Sequence, residues 1–269
     1  MPKTIFKAKC LDGFIVKVLF ELLHNNFKTG YFTISKKGIH LCMTDANRKV
    51  LVDLMLEYDK FNMYKYKKDE EMRIGLNLGN IHKLMKSIRK KNTIIMYITE
   101  DKPDALTFKV IPNENTKMKK TEFSTRIYEG ENITTPIPDG YDKSVIVNSN
   151  EFQKTCKEMS NISSTIQVTS HKFSIKFFAD GGNIYSKSTS FGEDESDSEE
   201  SESDEEEQEF DEKFDSQQLI KIVKIAGLGA DMQIFPKANF PLLFKSSIGH
   251  LGHISIFLKS IDMANKDNE

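Results

Sequence analysis

The sequence predicts an α+β fold of two similar domains, each with two helices packed on antiparallel sheets. Three observations support this prediction. A six-residue pattern recurs once along the 269-residue chain, helix signals come in matched pairs, and most of the remaining chain has the short alternating runs of β-strands. Strands that outnumber helices in each half favour helices placed on one face of a sheet.

The internal repeat is carried by Ile81-His-Lys-Leu-Met-Lys86, which returns 138 positions later as Leu219-Ile-Lys-Ile-Val-Lys224. It places lysines at matched positions of two helix-patterned segments. The same offset aligns Phe14 with Phe152, and Met96-Tyr97 with Ile234-Phe235. A duplicated fold with basic helices at equivalent positions presents positive charge symmetrically.

Four helices are expected, over about 13–24, 80–90, 150–160 and 216–226. Asp12-Gly13 is the expected cap of the first helix and Ser216 that of the fourth. The apolar faces are expected at these positions: Ile81, Leu84, Met85 and Ile88 in the second helix; Phe152, Cys156 and Met159 in the third; Leu219, Ile222, Val223 and Ala226 in the fourth.

Hairpin-like runs are expected at 31–35 with 39–43, and at 166–169 with 173–178. Further strands are expected at 50–57, 61–66, 72–78, 93–99, 105–111, 183–190, 232–236 and 253–259. The domains are predicted as 1–127 and 142–264, with a tail at 265–269. Between them, 128–141 is rich in Gly, Pro, Thr and acidic residues, which indicates an extended connector.

The net charge of −2 averages two unlike parts of the chain. Glu193–Glu212 holds fourteen acidic residues and no Lys or Arg, and the rest of the chain has 26 acidic against 38 basic residues, about +12. A basic body favours a polyanionic partner, nucleic acid first. The segment 193–209 is predicted to be a disordered acidic loop, because its carboxylates repel one another and it holds almost no apolar groups.

Several function classes lack their signatures. The chain has no phosphate-binding glycine loop, no HExxH and no GxSxG, so no catalytic residue and no cofactor is expected. Cys10, Cys42 and Cys156 are too far apart for a CxxC site and are expected to be buried free thiols in a reducing compartment; no metal site is expected. The most apolar run, 14–23, is interrupted by Lys17 and Glu21 and is too short to span a membrane.

Four segments resemble the DNA polymerase sliding clamps of the proliferating cell nuclear antigen family. They are Gly38-Ile-His-Leu-Cys-Met-Thr-Asp45, Pro136-Ile-Pro138, Asn150-Glu-Phe152 and Ile248-Gly-His-Leu-Gly-His-Ile-Ser-Ile-Phe-Leu258. The similarity extends over nearly the whole chain except the acidic segment. It implies a homotrimeric ring whose sheets lie outside and whose helices line a hole around duplex DNA, with no catalytic activity.

The resemblance also implies which residues face DNA. The positions that match the family's DNA-facing helix residues are Lys17, Lys83, Lys86, Lys154, Lys157, Lys221 and Lys224. Lysines that contact phosphates bind duplex DNA without sequence preference and so permit sliding. Ordinary solvated helix faces are the alternative interpretation of the same lysines.

Partner proteins of the family dock a short peptide under the connector. The matching pocket positions are Thr44, Ile137, Pro138, Pro241, Phe257 and Leu258, with Ile261 expected nearby. The implied partners are DNA polymerase and other proteins with such peptides, a clamp loader and further copies of the chain, but no membrane. The sequence Phe257-Leu-Lys-Ser260 departs from the family pattern here, which leaves the preferred peptide open, and Phe257 and Leu258 also fit core strand positions.

The resemblance further implies subunit joining through strand edges near 117–125 and 182–190, and action in the nucleus or at a site of viral DNA replication. Two alternatives remain open. One is a specialised clamp, either a checkpoint-type hetero-ring member or a one-subunit processivity factor that does not encircle DNA. The other is an acidic-tract chaperone for basic proteins, which would lose its function on deletion of 193–212.

Overall fold

The computed structural model describes residues 3–112, 120–130, 135–171, 173–182, 184–192 and 210–266. The predicted acidic loop, 193–209, lies outside the described residues. The chain divides into two compact units: unit 1 holds 1–46, 52–135 and 247–254, and unit 2 holds 47–51, 136–246 and 255–269.

The helices are α1 Gly13–Asn26, α2 Leu78–Met85, α3 Ser149–Ser160, α4 Ser216–Ile222 and α5 Ile261–Lys266, with 3₁₀ turns at Tyr58–Lys60 and Val223–Gly227. The strands are β1 Thr4–Cys10, β2 Thr29–Ser35, β3 Gly38–Thr44, β4 Val50–Glu57, β5 Met63–Tyr66, β6 Met72–Asn77, β7 Thr93–Thr99, β8 Lys102–Ile111, β9 Thr121–Glu129, β10 Val145–Asn148, β11 Thr165–His171, β12 Ser174–Asp180, β13 Ser186–Gly192, β14 Phe210–Asp215, β15 Asp231–Phe235, β16 Leu242–Ser247 and β17 Gly252–Leu258. No helix among the described residues is long and apolar enough to cross a membrane.

Unit 1 is built on antiparallel strands in the order β3-β2-β6-β9-β8-β7-β1-β5, with α1 and α2 packed side by side on them. Its core includes the fully buried rings of Phe6 and Phe108. Phe20 of α1 meets Phe108 of β8 edge to face, with ring centroids 6.0 Å apart. Such aromatic pairs stabilise helix-on-sheet packing beyond their buried area.

Unit 2 repeats this arrangement with a four-stranded antiparallel sheet, β13-β12-β11-β14, and the antiparallel strands β10-β15-β16. Helix α3 packs beside α4 and the following 3₁₀ turn. Phe152 of α3 is fully buried between Phe177 and Phe244, with ring centroids 5.9 and 5.5 Å away. The prediction of an α+β fold with two similar domains is confirmed.

The offset between the two units is not constant along the chain. The elements β6, α2 and β7 have their equivalents β14, α4 and β15 at an offset of 138 residues, as predicted. The hairpin strands β2 and β3 have their equivalents β11 and β12 at an offset of 136 residues. The caps of α1 and α3, Asp12 and Asn148, also differ by 136. The predicted pairing of Phe14 with Phe152 is therefore wrong: the buried Val16 is the equivalent of Phe152, and Phe14 is half exposed.

Three further expectations are corrected. Helix α2 ends at Met85, so the buried Ile88 points inward from a loop and not from a helix face, while Leu84 is 39% exposed. The fourth helix is capped by Asp215, whose carboxylate accepts from the Gln217 amide at 2.8 Å, and not by Ser216. Ala226 lies in the 3₁₀ turn and is only half-buried, because α4 itself ends at Ile222.

Close backbone approach explains one glycine of the Gly38–Asp45 segment. Gly38 begins β3 with φ +140°, and a Cβ there would collide with the Leu56 carbonyl of β4. An L-residue with a side chain is disfavoured in this conformation and would also have to displace the backbone of a neighbouring strand.

Candidate nucleic-acid interface and peptide pocket

Each helix of the two pairs begins at an Asp or Asn whose side chain accepts from the first free amides. Asp12 accepts from Phe14 at 3.1 Å, Asn77 from Asn80 at 2.9 Å and Asn148 from Asn150 at 3.1 Å. Together with Asp215 these caps fix where every helix starts. The direction in which each lysine points is then set by the buried apolar stripe of its helix.

Four of the seven sequence-predicted lysines are exposed on these helices or, for Lys86, immediately beyond the end of α2. Lys83 and Lys86 lie opposite Ile81 and Met85 on α2, which are 0 and 1% exposed. Lys154 and Lys157 of α3 are likewise exposed, opposite its buried face of Phe152, Cys156 and Met159. The two helices thus each display a pair of ammonium groups spaced by three residues.

The carboxylate of Glu158 on α3 forms an ion pair with a lysine from another element. Lys187 of β13 donates to it at 2.5 Å, and this hydrogen bond holds the pKa of Glu158 below its ordinary value. The nearby charge of Lys154 contributes less to the same lowering of the pKa. Lys154 and Lys157 are exposed on the same helix.

Lys17 has a different environment from the four exposed lysines. Its ammonium donates to the carbonyls of Lys86 at 3.1 Å and Ile88 at 3.0 Å, immediately beyond the end of α2. Gln153, its equivalent in unit 2 at the offset of 136, donates to the carbonyl of Val223 at 3.0 Å. In both units, this position of the first helix ties down the end of the second helix.

Lys221 and Lys224 are both half-buried. Lys221 reaches Gln218 on the same helix at 3.4 Å, and Lys224 lies in the 3₁₀ turn after α4. Among the seven predicted lysines, the exposed ones of unit 2 therefore lie on α3, and those of unit 1 lie on α2 and immediately beyond it.

Two imidazoles lie beside the lysines of unit 1. His24 of α1 and His82 of α2 stack with centroids 4.9 Å apart. Burial lowers the pKa of His82, and His24, Lys86 and Lys17 lower it further against the opposing effect of Glu21. His82 is therefore neutral at pH 7, and the lysines supply the positive charge of this surface.

The connector is attached to unit 2 by Tyr141. Its hydroxyl donates to the Pro241 carbonyl at 2.7 Å, and its ring lies 5.6 Å from that of Phe240 and 6.1 Å from that of Phe257. Burial raises the pKa of Tyr141, so the hydroxyl keeps its proton. Lys237 adds a bond from its ammonium to the Gly140 carbonyl. Sequence reasoning missed both anchors, although an aromatic residue in a polar strip is a recognisable signal.

Six of the seven predicted pocket residues belong to unit 2. Ile137 is 46% exposed and Pro138 half-buried, whereas Phe257 and Leu258 are 4 and 1% exposed at the end of β17. Tyr141 brings Pro241 and Phe257 together. Thr44 ends β3 in unit 1 and is half-buried.

The segment Phe257-Leu-Lys-Ser260, which departs from the family's sequence pattern, has a structural role at the end of β17. Ser260 is 1% exposed and its hydroxyl accepts from the Met263 amide at 3.3 Å, while its carbonyl accepts from Ala264. Ser260 thus begins α5, whose first residue is Ile261. The half-buried Ile261 is held next to the β17 terminus by this cap.

Replacing Tyr141 with Phe is expected to lower the free energy of unfolding by about 1 kcal/mol, because the ring contacts remain and the Pro241 carbonyl loses its donor. Urea unfolding followed by far-UV circular dichroism measures the change. Tyr185→Phe is the matched control, since Tyr185 in the same unit is 53% exposed. Equal stability of the Tyr141 and Tyr185 variants would contradict the anchoring role.

The three thiols are free, and burial raises the pKa of each of them. Cys10 and Cys156 are buried, Cys42 is half-buried and all three are free. Burial raises the pKa of Cys10 and of Cys42 to about 11 and also raises the pKa of Cys156. No group of three or more His, Cys, Asp or Glu side chains able to hold a metal occurs in this part of the chain.

A duplicated α+β fold with paired basic helices defines a protein of the DNA-clamp class. The sequence models of the proliferating cell nuclear antigen N-terminal and C-terminal domains match residues 5–131 and 136–261. The chain is 22% identical over 262 residues to the "Probable DNA polymerase sliding clamp 1" of Paramecium bursaria Chlorella virus 1, covering 96% of this chain and 97% of that protein. The chain belongs to the proliferating cell nuclear antigen family, which supports a non-catalytic DNA sliding clamp as its class.

Proposed function

We propose that three copies of this chain close into a ring that encircles duplex DNA and holds DNA polymerase and other replication and repair proteins on it. The observation behind this proposal is an exposed lysine pair in each unit: Lys83 on α2 with Lys86 at its end in unit 1, and Lys154 with Lys157 on α3 in unit 2. Contacts to phosphates are independent of sequence, so a ring lined with lysines retains DNA and slides along it.

Two strand edges support self-association. β13 lies at the edge of its four-stranded sheet and pairs only with β12 among the described strands. In β9, residues 121–126 pair with β8 on one side, and β6 reaches only 127–129 on the other. Pairing β9 of one copy with β13 of the next removes both open edges, and repetition by rotation closes a ring.

Recruitment of partners is proposed to use the connector and the end of β17. The exposed Ile137 and the anchored segment at Tyr141 offer an apolar surface beside extended backbone, which suits a short peptide with apolar and aromatic anchors. A clamp loader and DNA polymerase are the proposed partners. The place of action is the nucleus or a site of viral DNA replication.

The ring is tested by solution mass and by topology. Sedimentation equilibrium is expected to give the mass of three chains; one chain would instead indicate a processivity factor that does not encircle DNA. The protein is then allowed to thread onto a linear duplex, and biotinylated ends are blocked with streptavidin.

Protein loaded on DNA with blocked ends is expected to stay bound through a wash at about 0.5 M salt, where electrostatic attraction to phosphates is weak. It should be released when a restriction enzyme cuts the duplex, because the link is topological. Removal by salt alone, with blocked and open ends giving the same result, would refute encirclement.

A further inference from the structure

The loop after α2 carries Arg89, Lys90 and Lys91, all exposed. No ion pair or hydrogen bond from their side chains to a carboxylate occurs in the part of the chain that the structure describes, although the Lys90 ammonium lies 5.9 Å from the Phe14 ring centroid. With Lys86, which lies immediately beyond α2, four of six consecutive residues are basic. The charges of Arg89, Lys90 and Lys91 lie outside the helix positions to which DNA contact was assigned from the sequence.

The backbone of this loop is fixed from several sides. Ile88 is 1% exposed and anchors its centre, and the Ile88 carbonyl accepts from Lys17 at 3.0 Å. The Asn92 side chain accepts from the Arg89 amide at 2.7 Å, and the Asn92 carbonyl accepts from the Gly13 amide at 2.7 Å. A loop held in this way presents its cations with little further ordering cost on binding.

Unit 2 contains the same loop without the charge. At the offset of 138 the three basic residues correspond to Gly227-Leu-Gly229, where Leu228 is 2% exposed. The backbone bond from Gly13 to Asn92 has its counterpart in the 2.9 Å bond from the Ser149 amide to the Ala230 carbonyl. The same fold element is therefore built with and without cations, so the fold itself does not require Arg89, Lys90 and Lys91.

We propose that the 89–91 loop is a second phosphate-binding surface of this chain, which contacts the backbone of duplex DNA in addition to the exposed helix lysines. Three exposed cations on a fixed loop suit contacts to the phosphate backbone, and a planar guanidinium suits bidentate phosphate contact. This inference rests on the proposed DNA-encircling function. It makes unit 1 the more strongly DNA-binding half of the chain.

The test compares three full-length variants by fluorescence anisotropy on one labelled duplex between about 50 and 200 mM salt. The loop variant is Arg89→Gln, Lys90→Gln and Lys91→Gln. The control variant, Lys65→Gln, Lys67→Gln and Lys68→Gln, removes the same charge from exposed positions on and just beyond β5 of the same unit. The helix variant replaces Lys83, Lys86, Lys154 and Lys157 with alanine.

The loop variant is expected to reduce the log–log salt slope by about 0.9 for each phosphate interaction that it removes, and each such interaction corresponds to a roughly threefold change in affinity over that salt range. The control should keep the wild-type slope. An unchanged slope in the loop variant, or an equal reduction in the control, overturns the inference. If the helix variant alone has a reduced slope, the inference fails while the proposed function stands; if only the loop variant has one, the helix-lining assignment fails.

Discussion

Duplex binding is expected to lose most of its salt dependence when Lys83, Lys86, Lys154 and Lys157 are replaced with alanine. Each phosphate contact contributes about 0.9 to the log–log slope, so four contacts per subunit correspond to about 3.6. All four side chains are exposed. Substitution at such positions changes the free energy of unfolding by only about 0.5 kcal/mol or less, so the variant should remain folded and keep its assembly state.

Salt titrations of duplex affinity measure this effect, with sedimentation and circular dichroism as checks on assembly and folding. The control variant replaces Lys65, Lys67, Lys68 and Lys102, which are exposed positions in unit 1, with alanine. A helix variant whose slope equals that of the wild type, or a control with the same reduction, would show that the helices do not contact DNA. The double variant of Lys83 and Lys86 and the double variant of Lys154 and Lys157 are each expected to give about half of this reduction in the salt slope.

Peptide binding is expected to weaken about thirtyfold when Ile137 is replaced with serine. An anchor residue at a peptide site typically contributes about 2 kcal/mol or more, which corresponds to about thirtyfold in affinity. The probe is a synthetic peptide with a glutamine followed by spaced apolar and paired aromatic residues, and calorimetry measures its dissociation constant. Ile137 is 46% exposed, so its replacement leaves the core intact.

Ile146→Ser is the matched control, since Ile146 is 68% exposed on β10 of the same unit. Wild-type peptide affinity in the Ile137 variant would place the docking site elsewhere. Phe257 is unsuitable for this test because it is 4% exposed. Its truncation would leave a cavity costing about 3–5 kcal/mol and confuse docking with stability.

Strong periodic signals were predicted well from the sequence. The β2–β3 and β11–β12 hairpins alternate clearly, and α1 and α3 carry long apolar stripes after an Asx cap. Two of the strands that were missed, β10 and β14, lack such a pattern. β10 has only four residues, and in β14 two buried phenylalanines stand among four charged residues. Their strand character comes from pairing with β15 and β11, which is a tertiary effect.

The candidate site was less predictable than the fold. Spacing alone cannot separate the exposed Lys83 from Lys17, because the ammonium of Lys17 reaches carbonyls 69 and 71 residues away. Because the helix was expected to continue to residue 90, Lys90 was placed on its polar face with Lys83 and Lys86, and Arg89 and Lys91 were passed over. Only the end of α2 at Met85 identifies a loop there. The roles of the seven lysines and of the pocket residues stay predictions.

Because Lys17 and Gln153 lie at equivalent positions, unit 2 shows how a glutamine performs at the position that Lys17 holds in unit 1. Both side chains donate to carbonyls at the end of the neighbouring helix, at 3.0 Å in each unit, but only one of them is charged. The bracing role at this position thus requires a hydrogen-bond donor and no positive charge. The charge of Lys17 is therefore not needed for this hydrogen bond, and Lys17→Gln, which places the unit 2 residue at the equivalent position of unit 1, separates the effect of the charge from that of the hydrogen bond.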